Sequence, residues 1–165
     1  MDNLNSDRTT HLINQLQLLP HPEGGFYKET YRSDVTATDS KGAKRNVCTS
    51  IYYLLNGTNK SHFHRIPSDE LWYFHEGETL EIIYIQHSEL TRVLLGKNTQ
   101  NGEHFYIKIP ANVWFAAKIK SEKSYTLVSC VVAPGFDFKD FELAERNTLL
   151  NAYPLLKDII EEFTR

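Results

Sequence analysis

His62-Phe63-His64, followed by Glu70 and Gly77, brings two imidazoles and a carboxylate together at a spacing that an extended chain can make converge. Side chains two apart on a strand point to the same face, so His62 and His64 are expected to aim together into whatever that strand encloses. Glu70 joins them after a turn through Ile66-Pro67-Ser68-Asp69. Imidazole nitrogen and carboxylate oxygen suit zinc, iron, manganese or nickel, and three protein ligands with open positions are the usual layout of a catalytic metal centre. His62, His64 and Glu70 are therefore candidate ligands of a divalent metal. They also have metal-free chemistry open to them. An imidazole titrating near its ordinary value of about 6.5 acts as acid or base around neutrality. A neighbouring carboxylate, Glu70 or Asp69, would orient that ring and favour its charged form. On this reading His64 and Glu70 are the catalytic pair, and His62 is a pocket residue.

Other residues complete a candidate pocket. Strand alternation sends Trp72 and Phe74 inward with Glu70, giving a cavity with a polar end and an aromatic wall. Trp114 or Phe115 lines the opposite side, the choice resting on a one-residue register. Arg32 and Arg65 offer planar, bidentate guanidinium forks for a carboxylate or phosphate. A tyrosine able to return a proton has four strand candidates, Tyr52, Tyr53, Tyr73 and Tyr84. His75 is out of phase with Glu70 and should point outward, while His11, His21, His87 and His104 read as surface residues.

The elements that position these groups are mostly strands. Leu12, Ile13, Leu16 and Leu19 fall on one helical face closed by Pro20 and Pro22, giving a short N-terminal helix. The turn His21-Pro22-Glu23-Gly24-Gly25 leads into an aromatic strand from Phe26, and the polar stretch Asp34 to Arg45 reads as a surface loop or hairpin tip. A strand follows over Val47 to Leu55, with Asn56-Gly57 as its hairpin-type turn. Further strands are expected near 61–64, 70–75, 79–87, 90–95, 104–109, 113–118 and 125–132, a spacing typical of all-β sandwiches and barrels. A helical region begins at about Leu143. Pro154 suits the first turn of a last helix whose Leu156, Ile159, Ile160 and Phe163 form a packing stripe.

The 165 residues, 41% hydrophobic and 12% aromatic, suffice for one core, so a single domain over 1–165 is expected. Its barrel core would span about 24–143 and its helical region about 144–165. With 18 basic and 21 acidic residues the net charge is -3, and no Lys/Arg run makes a nucleic-acid or anionic-membrane footprint. The polar N-terminus lacks a signal-peptide layout and no apolar run approaches a membrane span, pointing to a cytoplasmic protein. Cys48 and Cys130 lie in apolar, β-rich segments and read as buried free thiols.

The stretch Ser61 to Gly77 resembles the first conserved motif of the cupin superfamily, His-x-His, a Glu and then a Gly on consecutive strands of a small β-barrel. The second motif is matched only partly. Asn112 replaces its glycine, Phe115 stands where the last metal-ligating histidine would be, and the five residues between His64 and Glu70 exceed the usual gap. The segments His21 to Ser33, His64 to Gly77, Ile109 to Ala117 and Val132 to Ala144 together look like one single-domain cupin family of unknown function. That family is similar in fold to dTDP-sugar 3,5-epimerases and to plant storage and auxin-binding cupins. The resemblance implies an all-β, cupin-type double-stranded β-helix, or jelly roll, flanked by a short N-terminal helix and C-terminal helices, and a homodimer. Three functions stay open. The first is a barrel that binds a small polar or anionic metabolite, with isomerase- or epimerase-like chemistry at His64 and Glu70. The others are a divalent-metal-dependent dioxygenase or isomerase, and a non-catalytic binding or storage-like dimer.

Overall fold

The computed structural model describes residues 2–38, 42–57 and 59–165. Helix α1 (Asp2–Gln15) comes first. It stops because Gln17 turns left-handed, φ 53°, and the Leu18 N–H closes back on the Ile13 carbonyl at 2.9 Å. Leu12 and Leu18 are buried, but Leu19 is exposed in β1 (Leu19–Pro20) and does not belong to the helical face. The helix ends before the prolines that were expected to close it.

Strands β2 (Phe26–Arg32), β3 (Thr36–Thr38), β4 (Lys44–Asn46) and β5 (Thr49–Asn56) follow. The β3/β4 pair makes the polar stretch a hairpin, and its expected tip at 39–41 lies outside the described residues. Next come β6 (Lys60–Arg65), β7 (Asp69–Gly77), β8 (Leu80–Gln86) and β9 (Glu89–Leu95). β10 (Glu103–His104) and β11 (Tyr106–Ile109) replace the single strand expected over 104–109. The last are β12 (Trp114–Ile119), β13 (Tyr125–Ala133) and β14 (Glu142–Leu143), then α2 (Arg146–Ala152) and α3 (Lys157–Phe163).

Two six-stranded sheets face each other, one ordered β1-β2-β5-β13-β7-β11 and the other β10-β9-β8-β12-β6-β14. The chain passes between them at β5–β6, β6–β7, β7–β8, β10–β11, β11–β12, β12–β13 and β13–β14, which is jelly-roll winding. Asn56-Gly57 is therefore a corner between sheets and not a hairpin turn, because β5 pairs with β2 and β13 while β6 pairs with β12 and β14.

The inner faces pack Tyr53, Leu55, Trp72, Leu80, Ile82 and Phe115 into a core that fills one end of the barrel. A second core lies outside the β8/β12/β6 sheet, where Leu149, Ile160 and Phe163 of the C-terminal helices cover Phe63, Ile83, Trp114 and Ala116. The expected apolar stripe is thus packing surface. β8 is buried on both faces, which explains its near-continuous apolar run. Helix α1 caps the opposite sheet through Leu12 against Leu54 and Leu127.

Candidate functional site

The open end of the barrel is a cavity of about 470 Å³. Alternation along three strands builds its walls: Thr49, Ile51 and Tyr53 from β5, Glu70 and Trp72 from β7, and Cys130 and Val132 from β13. The segment after β13 brings Phe136, Phe138 and Phe141 over the mouth, where Phe136 and Phe138 meet edge-on at 4.9 Å. This segment is tied down on both sides. Phe136 N–H donates to Thr49 Oγ1 at 2.9 Å, Arg32 donates twice to the Phe136 carbonyl, and Arg45 holds Asp140 with two bonds of 2.8 and 2.9 Å.

His64 and Glu70 both line the cavity, but His62 does not. The reason is a β-bulge. On β12, Phe115 pairs with His64 and Ala117 with Ser61, so two steps on β12 match three on β6. Ser61 and His64 consequently share the inner face, Phe63 joins the outer core, and His62 is the supernumerary residue. Its half-buried ring faces the backbone, with Nδ1 donating to the Glu23 carbonyl at 2.6 Å. Burial lowers its pKa, the Glu23 carbonyl opposes this, and Arg165 and Lys60 add to the lowering.

The carboxylate beside His64 is Glu23. His64 Nε2 lies 3.0 Å from Glu23 Oε2, Ser61 Oγ donates to Glu23 Oε1 at 2.8 Å, and the other His64 nitrogen, Nδ1, donates to the His62 carbonyl at 2.7 Å. With both ring nitrogens donating, the imidazole is a cation. Burial alone would lower the His64 pKa, but the charge and hydrogen bond of Glu23, with help from Glu70 and the His62 carbonyl, raise it. Burial would likewise raise Glu23, yet His64, His21 and Ser61 bring it down to about 2. The turn places this carboxylate: Gly24 at φ 119° lets the backbone pass against the Lys60 carbonyl, where a Cβ would collide.

Glu70 has the opposite character. Burial raises its pKa to about 7, the His64 charge pulls it down, and the Glu23 charge pushes it up. Among the described residues no ion pair engages it. The Trp72 indole and the Cys130 thiol sit beside it, both favouring its ionised form, although the indole Nε1 makes no hydrogen bond. Burial also raises the Cys130 thiol and the Tyr53 phenol well above their ordinary values.

The remaining predicted residues divide by strand face. Phe115, not Trp114, faces inward, its ring 4.0 Å from that of His64. Trp114 belongs to the outer core, where Arg65 stacks on it at 4.4 Å and donates to Glu142 at 2.7 Å, so neither residue reaches the cavity. Arg32 is at the mouth, but its guanidinium is spent on Glu29, Asn46 and the Phe136 carbonyl. Of the four tyrosines, Tyr53 lines the cavity and donates to the Gly24 carbonyl at 2.8 Å. Asp69 instead holds the Ala111 N–H and Lys108. His75 is outward as expected, against Ser129. His21 is not a surface residue. It lines the cavity, edge-on to Tyr27 at 4.6 Å, with its pKa lowered by burial against the pull of Glu23.

The expected metal triad is not assembled. His62 lies off the cavity, both His64 nitrogens are committed as donors, and Phe115 fills the place of a further ligand. Among the described residues no cluster of three or more His, Cys, Asp or Glu side chains could hold an ion. The donor set does not fit a divalent metal.

Comparison with known proteins adds the lineage. The family described as Cupin superfamily (DUF985) matches residues 10–144. A hypothetical protein from Leishmania major is similar at 33% identity and TM-score 0.89, covering 94% of this chain and 97% of its own. A structure of protein SO0799 from Shewanella oneidensis is 40% identical at TM-score 0.86, covering 94% of this chain and 96% of its own. An uncharacterized Saccharomyces cerevisiae protein is 31% identical over 78% of this chain and 71% of its own. Oxalate decarboxylase from Bacillus subtilis shares the fold, at 12% identity and TM-score 0.55 over 87% of this chain and 36% of its own.

Proposed function

Since the chain belongs to the cupin superfamily family described as DUF985, we propose that it binds a small polar metabolite in the barrel cavity and moves a proton on it through Glu70, as an isomerase- or epimerase-like catalyst. The observation that carries this is the contrast between two buried carboxyls in one cavity. Glu23 is locked into its ion pair, while Glu70 has no ion pair among the described residues and burial pushes its pKa up to about 7. A carboxyl poised there takes a proton from a carbon beside a carbonyl and returns it to the same or the adjacent carbon, with no net proton change. His64, committed on both nitrogens, acts as a fixed positive charge near Glu70 and favours its ionised form. The base expected at His64 is thereby reassigned to Glu70.

A metabolite screen read by thermal shift, followed by proton NMR of each binder in deuterated buffer, tests the reading. Binders should gain deuterium with the wild-type protein and not with Glu70→Gln. Equal exchange in both, or no compound raising the melting temperature, refutes it. We propose also that the protein is a homodimer, with the exposed Tyr73–Tyr106 stack on β7 and β11 available for the contact. A monomer by light scattering at micromolar concentration refutes that.

A further inference from the structure

The indole of Trp72 poses a separate question. The residue is only 1% exposed and lines the cavity, and its Nε1 is the one buried side-chain N or O atom among the described residues without a hydrogen-bond partner: the Glu70 carboxyl is close enough for the indole to favour its ionised form, but out of hydrogen-bond geometry with Nε1. Buried donors in native proteins are almost always paired, and leaving one orphaned costs about 1–3 kcal/mol. The ring cannot turn aside to find a partner. Tyr53 meets it edge-on at 5.4 Å and Phe115 at 6.2 Å, in the packed core of the barrel.

The charges around the cavity limit what could supply the missing acceptor. Among the described residues that line the cavity, an anionic ligand would find no free cation. The imidazolium of His64 is held by Glu23 and the His62 carbonyl, and Arg32 at the mouth is spent on Glu29, Asn46 and the Phe136 carbonyl. Such a ligand would also sit near the Glu23 carboxylate, losing its hydration without compensation. A cationic ligand would meet the His64 charge, and of the carboxyls lining the cavity Glu23 is held by Ser61 and His64, Glu29 by Arg32, Asp137 caps the Lys139 N–H at the mouth, and burial disfavours the charged form of Glu70. Beside the paired Glu29 and Arg32, the mouth offers an aromatic wall of Tyr27, Phe136, Phe138 and Phe141.

We propose that the cavity selects an uncharged ligand whose carbonyl oxygen accepts a hydrogen bond from Trp72 Nε1–H, with the Glu70 carboxyl beside that oxygen and the ligand's apolar body against the Phe136–Phe138–Phe141 cluster. This rests on the reading that the cavity binds a metabolite, and it narrows the polar-or-anionic ligand class to neutral carbonyl compounds. It also gives the indole a function in the chemistry. A donor aimed at a carbonyl oxygen stabilises the charge that develops there as Glu70 removes the neighbouring proton.

The chain has two tryptophans, so the ¹⁵N-labelled full-length protein shows two indole N–H signals, assigned by Trp72→Phe or, if that variant does not fold, by Trp114→Phe. Benzamide, benzoate and benzylamine present one ring with a neutral, an anionic and a cationic head group, and each is titrated at pH 7. Benzamide should move the Trp72 indole proton downfield in a saturable way and leave Trp114 in place. Benzoate and benzylamine should bind about tenfold more weakly or worse, a difference of roughly 1.4 kcal/mol or more. Equal or tighter binding of either charged probe overturns the proposal, as does a Trp72 signal that no probe moves. Hits in the metabolite screen alongside that result sink the carbonyl assignment alone, whereas an empty screen sinks the binding reading as well.

Discussion

At the residue scale the site turns on which carboxylate faces which imidazole. Neutralising Glu23 leaves a buried imidazolium unpaired, so Glu23→Gln should cost about 3–5 kcal/mol in urea unfolding. His64→Ala should also be destabilising, since it strands Glu23, and is not the fold-neutral probe that a pocket histidine would make. The pair sets its own pH window. Glu23, depressed to about 2 from the ordinary 4.5, contributes stability above pH 4.5 that is lost as the pH falls toward 2. His64, raised above 6.5, contributes stability present below that value and lost as the pH climbs through its folded pKa. Glu70 runs the other way from Glu23. Raised from 4.5 to about 7, it favours the fold below pH 4.5 and surrenders that contribution as the pH rises through 7. Relative to Glu70→Gln, the wild type should therefore lose on the order of 3 kcal/mol between pH 4.5 and 7. A flat difference across that range refutes the buried-carboxyl assignment. His64 and Glu70 were legible in the sequence because alternation and motif both pointed to them. Glu23 and His21 were not, since a turn about forty positions before His64 comes to lie against β6 only in the folded chain, where the His62 N–H donates to the Glu23 carbonyl.

At the element scale two local irregularities do the positioning. The turn through His21–Gly25 places Glu23 by running its backbone against Lys60, at a left-handed glycine. Gly24→Ala should destabilise the protein by more than the roughly 1 kcal/mol of an ordinary helix or strand glycine, because the added Cβ meets backbone. A loss within that ordinary range by thermal melting would show that the turn relaxes. The turn itself was readable from Pro22, Gly24 and Gly25, but its destination was not. The bulge on β6 is the second device. Strict alternation put His62 and His64 on one face, and one extra residue broke the rule between them. The same one-residue ambiguity hid whether Trp114 or Phe115 faces inward. Period-two patterns report faces only where the ladder is unbroken.

At the scale of the molecule the jelly roll was legible from many short strands, the motif order and the two flanking helical regions. The crossing at Asn56-Gly57 was not, because a turn dipeptide looks the same whether the next strand returns to the same sheet or departs for the other. The C-terminal helices belong to the fold's stability and not to its margin. Phe163 is fully buried against Phe63 at 5.9 Å, so Phe163→Ala should cost about 3–5 kcal/mol, measured by chemical denaturation. Phe63, beneath those helices, is the sequence neighbour of His64 inside the cavity, the two facing opposite sides of β6. Arg165 closes a second link, donating to the Pro22 carbonyl one residue from Glu23 at 3.0 Å. Phe163 and Arg165 thus contact the sequence neighbours of His64 and Glu23, the ion pair inside the cavity. Filling the cavity should slow amide hydrogen exchange along α3, on the far side of the β6 sheet from any ligand contact, so that this helix reports what the barrel holds.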